Sequence, residues 1–534
     1  MNSINPTDII LENAVNAFKQ GDIDKAQTLF LNILNIDDSH PDALYFMGMI
    51  DHGAKRYEAA EYRAEELVKQ KPIDGKALNL LGTILMTQRK FDEAVEHFEK
   101  GIKYNEDDPM LKVNAAICNI GLANPARSIE LCKDAINLNN NYTNAWNILG
   151  NAYMGKSEME NAAEAFEKAI ELQPDFIDAR FNLGVSLFEL KRYEQAEACF
   201  DDILESIPDH VHALCRKGDI HMIRDEYQQA GELYQRAADL ATDFVPSLIG
   251  RGRVFLRIDK FDEALSNFKR AIELTPDNIE ALMHIGSTFR KMGNDEAAAA
   301  AFKDALNIDP DNAQAKFHLA SVTGDETPAK PEADYVKNLF DEFADTFDKQ
   351  LSDIDYNAPE QLASLVKSLT ENTQMEIIDL GCGTGLSGEQ FKDFSSHMIG
   401  VDLSPRMLQA ASKRGIYNEL EENDILGSLV RYQNKFDLVV SADTFPYLGD
   451  LDSVFVSITS ATKPDGIITF TTERHDGTED FKLGKTARYA HSVDYIFSIA
   501  ERRGLEVLHC EPTVTMKERG EDVPALIVAM RKPA

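Results

Sequence analysis

From Thr7 onward the pattern of apolar and polar positions repeats every 34 residues, with segments opening at 7, 41, 75, 109, 143, 177, 211, 245 and 279 and no insertion to break the phase. Each segment holds two runs of apolar residues at helical spacing, which predicts nine pairs of antiparallel helices stacked into a superhelix. The clearest copy carries Trp146, Leu149, Gly150, Tyr153, Ala162, Phe166, Ala169 and Pro174. The same offsets recur as Leu248, Gly252, Phe255, Ala264, Phe268, Ala271 and Pro276. Small residues at Gly150 and Ala162 let two helices approach closely, and Leu149 and Phe166 fill the seam. Pro174 ends the second helix, having no amide proton to donate. The fourth copy is the poorest, with Ala116 for the glycine and Cys132 for the aromatic, which predicts a looser seam in unbroken register. Residues 313–320 predict the start of a solvating cap helix.

This period and these positions resemble the tetratricopeptide repeat. The resemblance implies binding rather than chemistry, in a groove formed largely by the first helix of each pair. The twelfth position of successive copies reads Phe18, His52, Met86, Ile120, Met154, Phe188, Met222, Leu256 and Arg290. Such an apolar stripe suits a peptide partner, and it equally suits packing between neighbouring repeats. In copies eight and nine Arg253, Arg257, Arg290 and Lys291 fall at groove-facing offsets, either as a site for an anion or peptide carboxylate or as a solvated face.

At residues 321–332 two prolines and a glycine break the helical period, which predicts a linker. Val336, Leu339, Phe340, Phe343 and Phe347 then share one side of a helix, and residues 359–369 predict another. Short apolar runs alternating with helical stretches follow: strands near 376–380, 398–401, before 423–425, at 436–441 and at 466–472, the last entered through Lys463, Pro464, Asp465 and Gly466. Glu473, Arg474 and His475 come at the end of that strand. A helix at 492–503 and a closing hairpin of 505–512 with 523–530, turning at 518–522, complete an α/β domain.

Residues 376–388 read EIIDLGCGTGLSG, an apolar strand running into Gly381, Gly383 and Gly385. Without a Cβ these residues tolerate positive φ and let backbone lie against a ligand above the carboxyl end of the strand. Asp402 ends the next strand, seventeen residues beyond Gly385, where a carboxylate can take the hydroxyls of a ribose. Asp379 argues against a dinucleotide, whose pyrophosphate wants amide donors and no nearby anion. It suits a ligand with positive charge, such as the sulfonium and ammonium of S-adenosylmethionine.

DLGCGTG (379–385) followed by VDLS (401–404) resembles the class I S-adenosylmethionine-dependent methyltransferases, over roughly residue 333 to the last strand. The resemblance implies a Rossmann-like, seven-stranded sheet and S-adenosyl-L-methionine as cofactor. Its methionine part would lie on Asp379, Gly381, Cys382, Gly383 and Gly385, and its ribose on Asp402 and Leu403. Asp424 would accept from the adenine amino group, with Ile425 near the ring. FDEFADTFD (340–348) matches the leading F-D-x-x-A-x-x-F/Y-D helix of the branch that works on quinone and biotin precursors, implying a helix that partly covers the cofactor. The fold expected is thus multidomain: an all-α superhelix over 7–320, a linker over 321–332 and a methyltransferase domain over 333–534.

Methyl transfer is a displacement at carbon in which alignment dominates and a base is optional. Asp443, His475, Tyr447 and His491 are the candidates near the expected acceptor mouth. Asp443-Thr-Phe-Pro446 lacks the N/D-P-P-Y/F/W context of amide- and amine-nitrogen methylases, leaving hydroxyl, carboxylate, carbon and amine acceptors open. Cys382 is expected to face cofactor or core and not to act as a nucleophile.

A net charge of −35, shared by both halves, argues against nucleic acid or an anionic membrane as main partner. No apolar run is long enough to span a bilayer. The six cysteines show no C-x-x-C spacing, no metal site is expected, and no basic apolar leader opens the chain; together these predict the cytoplasm. Three functions fit: a methyltransferase whose repeats recruit a protein or peptide, a small-molecule methyltransferase docked to an assembly by its repeats, and a scaffold with a vestigial cofactor fold. Intact glycines and acids weigh against the last.

Overall fold

The computed structural model describes residues 6–324, 333–344, 346–518 and 520–534. Among them the 34-residue register is met helix by helix, from Pro6–Lys19 (α1) and Ile23–Ile36 (α2) to Ile279–Lys291 (α17) and Asp295–Ile308 (α18). The first helix of each pair stops where one residue turns left-handed. Gly21, Lys55, Arg89, Ala123, Ser157, Lys191, Asp225, Asp259 and Gly293 occupy the same repeat position, with φ between 54° and 79°. Only two are glycines, so seven copies carry backbone strain there.

Contacts divide the chain into two compact units, Met1–Thr242 and Asp243–Ala534. The first holds seven helix pairs. Its seams are tight because glycine faces an aromatic ring: a Cβ on Gly150 would lie 2.5 Å from Phe166. In the fourth copy Ala116 and Cys132 are both fully buried in one apolar cluster with the neighbouring copies, so the seam stays closed to solvent without the ring. The stripe residues Phe18, Met86, Ile120, Met154 and Phe188 pack half-buried onto the repeat cores. Packing between repeats therefore consumes much of that apolar surface.

The second unit begins with the eighth and ninth helix pairs and the cap helix Ala313–Thr323 (α19), whose N-cap Asn312 accepts the Ala315 amide. Residues 321–323 of the expected linker are thus helical, because the buried face runs on to Ser321, whose hydroxyl donates to His318 O, before Gly324 ends the helix at φ 73°. Residues 325–332 and the Phe343 side chain lie outside the described residues.

Helices Ala333–Phe343 (α20), Phe347–Asp353 (α21) and Ala358–Leu369 (α22) precede the sheet. Five parallel strands, Met375–Leu380 (β1), Ser395–Asp402 (β2), Glu419–Glu422 (β3), Phe436–Ser441 (β4) and Thr462–Arg474 (β5), take the order β3-β2-β1-β4-β5. Alternate residues serve two cores: Ile378, Leu380 and Val439 on one face, Ile377, Leu438 and Val440 on the other. Both faces are covered, as parallel strands require. The chain order reverses between β1 and β4, where such sheets bind ligands. Strand Glu521–Arg531 (β9) joins β5 antiparallel and Glu506–Glu518 (β8) joins β9; this hairpin runs further than expected, Glu518 pairing with Glu521.

Those seven strands are the expected sheet, but the observed sheet has nine. Two short strands, Phe481–Leu483 (β6) and Tyr489–His491 (β7), form an antiparallel arm, and β7 runs parallel to the end of β5. Glu473 pairs with Ala525 of β9 and also with Ala490 of β7. The arm therefore takes the edge of β5 that β4 vacates after Ser441. Three-residue strands leave no periodic pattern to read.

Candidate active site

The loop after β1 is lashed to β2. The amides of Gly381 and Cys382 both donate to Val401 O, at 2.8 and 3.0 Å, and Gly383 N donates to Asp402 Oδ2 at 2.9 Å. Gly381 is required by a close approach, since a Cβ there would lie 2.2 Å from Thr444 Oγ1. At Gly383 a Cβ would meet only Phe347, at 3.7 Å; this stretch of backbone faces open space.

That space is a cavity of about 580 Å³ above β1, β2 and β4. Of the expected cofactor residues, Gly381, Cys382, Gly383, Asp402, Leu403, Asp424 and Ile425 line it, and Asn423, which the sequence did not single out, joins them. Asp402 also accepts the Ser404 amide at 2.8 Å, and burial pushes its carboxyl up to about 6 against those two backbone donors. Asp424 is the N-cap of Ile425–Leu429, its Oδ1 accepting from Gly427 N at 2.6 Å. Cys382 is 3% exposed and burial holds its thiol protonated.

Asp379 and Gly385 are not on the wall. Asp379 lies beneath the loop, 1% exposed, and its Oδ2 accepts from the Tyr417 hydroxyl at 2.7 Å. Burial pushes this carboxyl up to about 7. Strand pairing places Asp379 on the face of β1 that meets Tyr417, behind the glycine loop and not on the cavity wall.

The single helix expected over 333–347 is two, α20 and α21, and their FDEFADTFD residues cover the cavity through a division of labour. Phe340 and Phe347 line it, while Asp341 accepts from the Ser404 hydroxyl and Asp348 accepts from the Thr384 hydroxyl and pairs with Arg414. Aromatics face in and acids tie the lid to both binding loops. The Phe340 ring meets Tyr447 edge-on, with centroids 5.0 Å apart.

At the acceptor end Asp443 has left-handed backbone, φ 57°, fixed by its amide donating to Thr471 Oγ1 at 2.9 Å. Arg488 Nη2 donates to both Asp443 oxygens, at 3.1 and 3.0 Å, its Nε lies 2.8 Å from Glu473 Oε1, and its Nη1 lies 3.2 Å from Met516 Sδ. Asp443, Tyr447, Arg488, Met516 and Tyr356 line the cavity. Burial raises the Asp443 carboxyl, opposed by Arg488, and pushes Glu473 up to about 7. Arg488 could not have been found from the sequence, where it is one of three cations, with Lys482 and Lys485, in a short stretch that matches no motif.

The two histidine candidates sit elsewhere. His475 is off the cavity wall, its Nδ1 accepting from Gly477 N at 3.1 Å. His491 is fully buried: Nε2 is 2.9 Å from Gly449 O and so carries the proton, leaving Nδ1 to accept from Thr472 Oγ1 at 2.6 Å. Burial drops its pKa to about 4. It is a neutral structural bridge.

The fold and site define a methyltransferase domain joined to helical repeats. The methyltransferase-domain family matches residues 371–507, and tetratricopeptide-repeat families match residues 75–108, 153–218 and 249–313; the chain thus carries tetratricopeptide repeats followed by a methyltransferase domain. The malonyl-[acyl-carrier protein] O-methyltransferase of Bacillus cereus is 27% identical over 144 residues, 26% of this chain and 54% of that protein. The 18S rRNA (guanine-N(7))-methyltransferase of Bos taurus is 31% identical over 78 residues, 15% of this chain and 28% of that one. The chain thus spans about half, or less, of the curated methyltransferases it matches. Among solved structures PilW, a type IV pilus biogenesis factor, aligns at 19% identity and a TM-score of 0.37, over 40% of this chain and 98% of that one. Among the described residues no helix is long and apolar enough to cross a membrane.

Proposed function

We propose that residues 333–534 transfer a methyl group from S-adenosylmethionine, and that the repeats, residues 7–320, recruit a protein or peptide that is either the acceptor or its carrier. The carrying observation is one continuous cavity from Gly383 and Asp402 to Asp443 and Arg488, within the range of about 300–1,000 Å³ usual for small ligands. The open backbone at Gly383 supports seating the methionine part there, with Asp402 on the ribose and Asp424 and Ile425 at the adenine. When bound, the cofactor supplies a methyl group on a sulfonium and leaves as a neutral thioether. The chain's part is alignment and exclusion of water. Tyr447, Arg488 and Met516 wall the acceptor end, and the lid aromatics close it from above.

The B. cereus relative is named for an acceptor borne on a carrier protein, which supports pairing such chemistry with a protein-binding array. We assign the basic groove positions Arg253, Arg257, Arg290 and Lys291 to an acidic partner; Arg290 Nη1 lies 3.2 Å from His318 Nδ1 of α19. The six free cysteines support a reducing cytoplasm.

Calorimetry tests the cofactor: micromolar binding of S-adenosylmethionine, about −7 to −8 kcal/mol, with no comparable heat from NAD. Tight NAD binding would reverse the assignment. Lysate incubated with the protein and isotopically labelled cofactor tests the acceptor. A labelled polypeptide whose labelling is lost in the Arg253→Glu, Arg257→Glu, Lys291→Glu variant supports recruitment, and unchanged labelling refutes the basic groove.

A further inference from the structure

Arg488 and Tyr489 are neighbours with different surroundings. Arg488 closes the acceptor end of the cavity on Asp443. Tyr489 is fully buried in a small apolar cluster with Leu483 and Ala487 of the same arm and with Phe317 and Ala320 of the cap helix α19. The Phe317 and Tyr489 rings lie 6.3 Å apart. At the turn of the arm Lys485 pairs with Asp295, the first residue of α18. From the opposite direction the arm packs on the loop after β4: a Cβ on Gly449 would lie 2.7 Å from Phe481 and 2.8 Å from Tyr489. A two-stranded arm of this size is marginal by itself. It needs the surfaces it is packed against, and one of them belongs to the last repeat and its cap.

We propose that Phe317 and Asp295, residues of the repeat array, are positioning residues for the acceptor end of the methyltransferase cavity. Docked on α19 and tethered at α18, the arm presents Arg488 to Asp443 and Glu473. Without the dock it opens locally and the guanidinium loses its seat. The ninth repeat and its cap are then a working part of the catalytic unit, and a partner that engages them acts on the acceptor end through a path of packed residues. The inference rests on the proposed function only for the meaning of that end; the docking itself is independent of it.

The test uses the full chain and three variants: Phe317→Ala, Asp295→Lys, and the swapped pair Asp295→Lys with Lys485→Asp. Phenylglyoxal labelling of Arg488, read by peptide mass spectrometry, should be about tenfold faster in the first two, with faster amide exchange over 481–491, and should return toward the starting rate in the swapped pair. Calorimetric titration with S-adenosylmethionine should be unaltered, since Gly383 and Asp402 are anchored elsewhere. Wild-type Arg488 reactivity in Phe317→Ala, or a swapped pair no better than Asp295→Lys alone, overturns the proposal. Absence of methyl transfer to any lysate acceptor by the unmodified protein would sink the proposed function while leaving the Arg488 labelling to decide the docking.

Discussion

Asp341 accepts a hydrogen bond from the Ser404 hydroxyl at 2.6 Å, across 63 positions of sequence. Ser404 in turn donates its amide to Asp402, and Asp402 holds Gly383. One acid on the lid is thus linked through two residues to the open backbone of the glycine loop. Asp341→Ala should leave the fold intact and weaken S-adenosylmethionine binding by about 1–2 kcal/mol, roughly 5- to 30-fold. Unchanged affinity by calorimetry would show that α20 does not close on the ligand through this bond.

Carboxyls raised by burial make the domain's stability depend on pH with a definite sign. Asp379 keeps its proton in the folded protein up to about pH 7, but only to about pH 4 in an unfolded chain. Between those values the folded state binds more protons, so stability falls as pH rises through the window. Asp402, raised to about 6, and Glu473, raised to about 7, act in the same direction. The melting midpoint of the C-terminal domain should fall between pH 5 and pH 8, a window set by these values. Asp379→Asn, whose amide oxygen still accepts from Tyr417, should flatten the slope. A midpoint that rises over this interval would mean that Asp379 is ionised in the fold.

The recurring left-handed residue offers a stabilising substitution. Ala123 turns at φ 54° where Gly21 and Gly293 stand in the first and ninth pairs. Ala123→Gly relieves the clash of Cβ with the backbone and should raise the stability of the array by roughly 0.5–1 kcal/mol, net of the greater freedom of the unfolded chain. Urea unfolding monitored by circular dichroism measures it; a loss of stability would mean the turn is held by contacts that glycine forfeits.

Ala116 and Cys132 should behave as a coupled pair. Cys132→Phe alone drives a ring into the Ala116 methyl, and Ala116→Gly alone leaves a void. Together they rebuild the arrangement of Gly150 with Phe166. Each single change should cost about 1–3 kcal/mol, and the double variant should recover most of that in a double-mutant cycle. Additive losses would show that the fourth seam differs by more than this exchange.

The sequence by itself determined whatever depends on neighbours along the chain. The 34-residue recurrence set the helix pairs because close packing of Gly150 on Phe166 is repeated at fixed offsets, and the FDEFADTFD spacing carried the lid because each inward aromatic, Phe340 or Phe347, is followed at once by a tethering acid, Asp341 or Asp348. The loop glycines and Asp402 were legible for the same reason: turn chemistry and strand ends are local. Only the tertiary structure decided the rest. It turned Asp379 under the loop, made His491 a neutral bridge between Thr472 and Gly449, and brought Arg488 to Asp443 on an arm whose strands are too short to show a period. It also tethered that arm from Asp295 to Lys485, across 190 residues. Such placements are set by burial and by pairing between distant segments, and no pattern confined to one stretch of sequence encodes them.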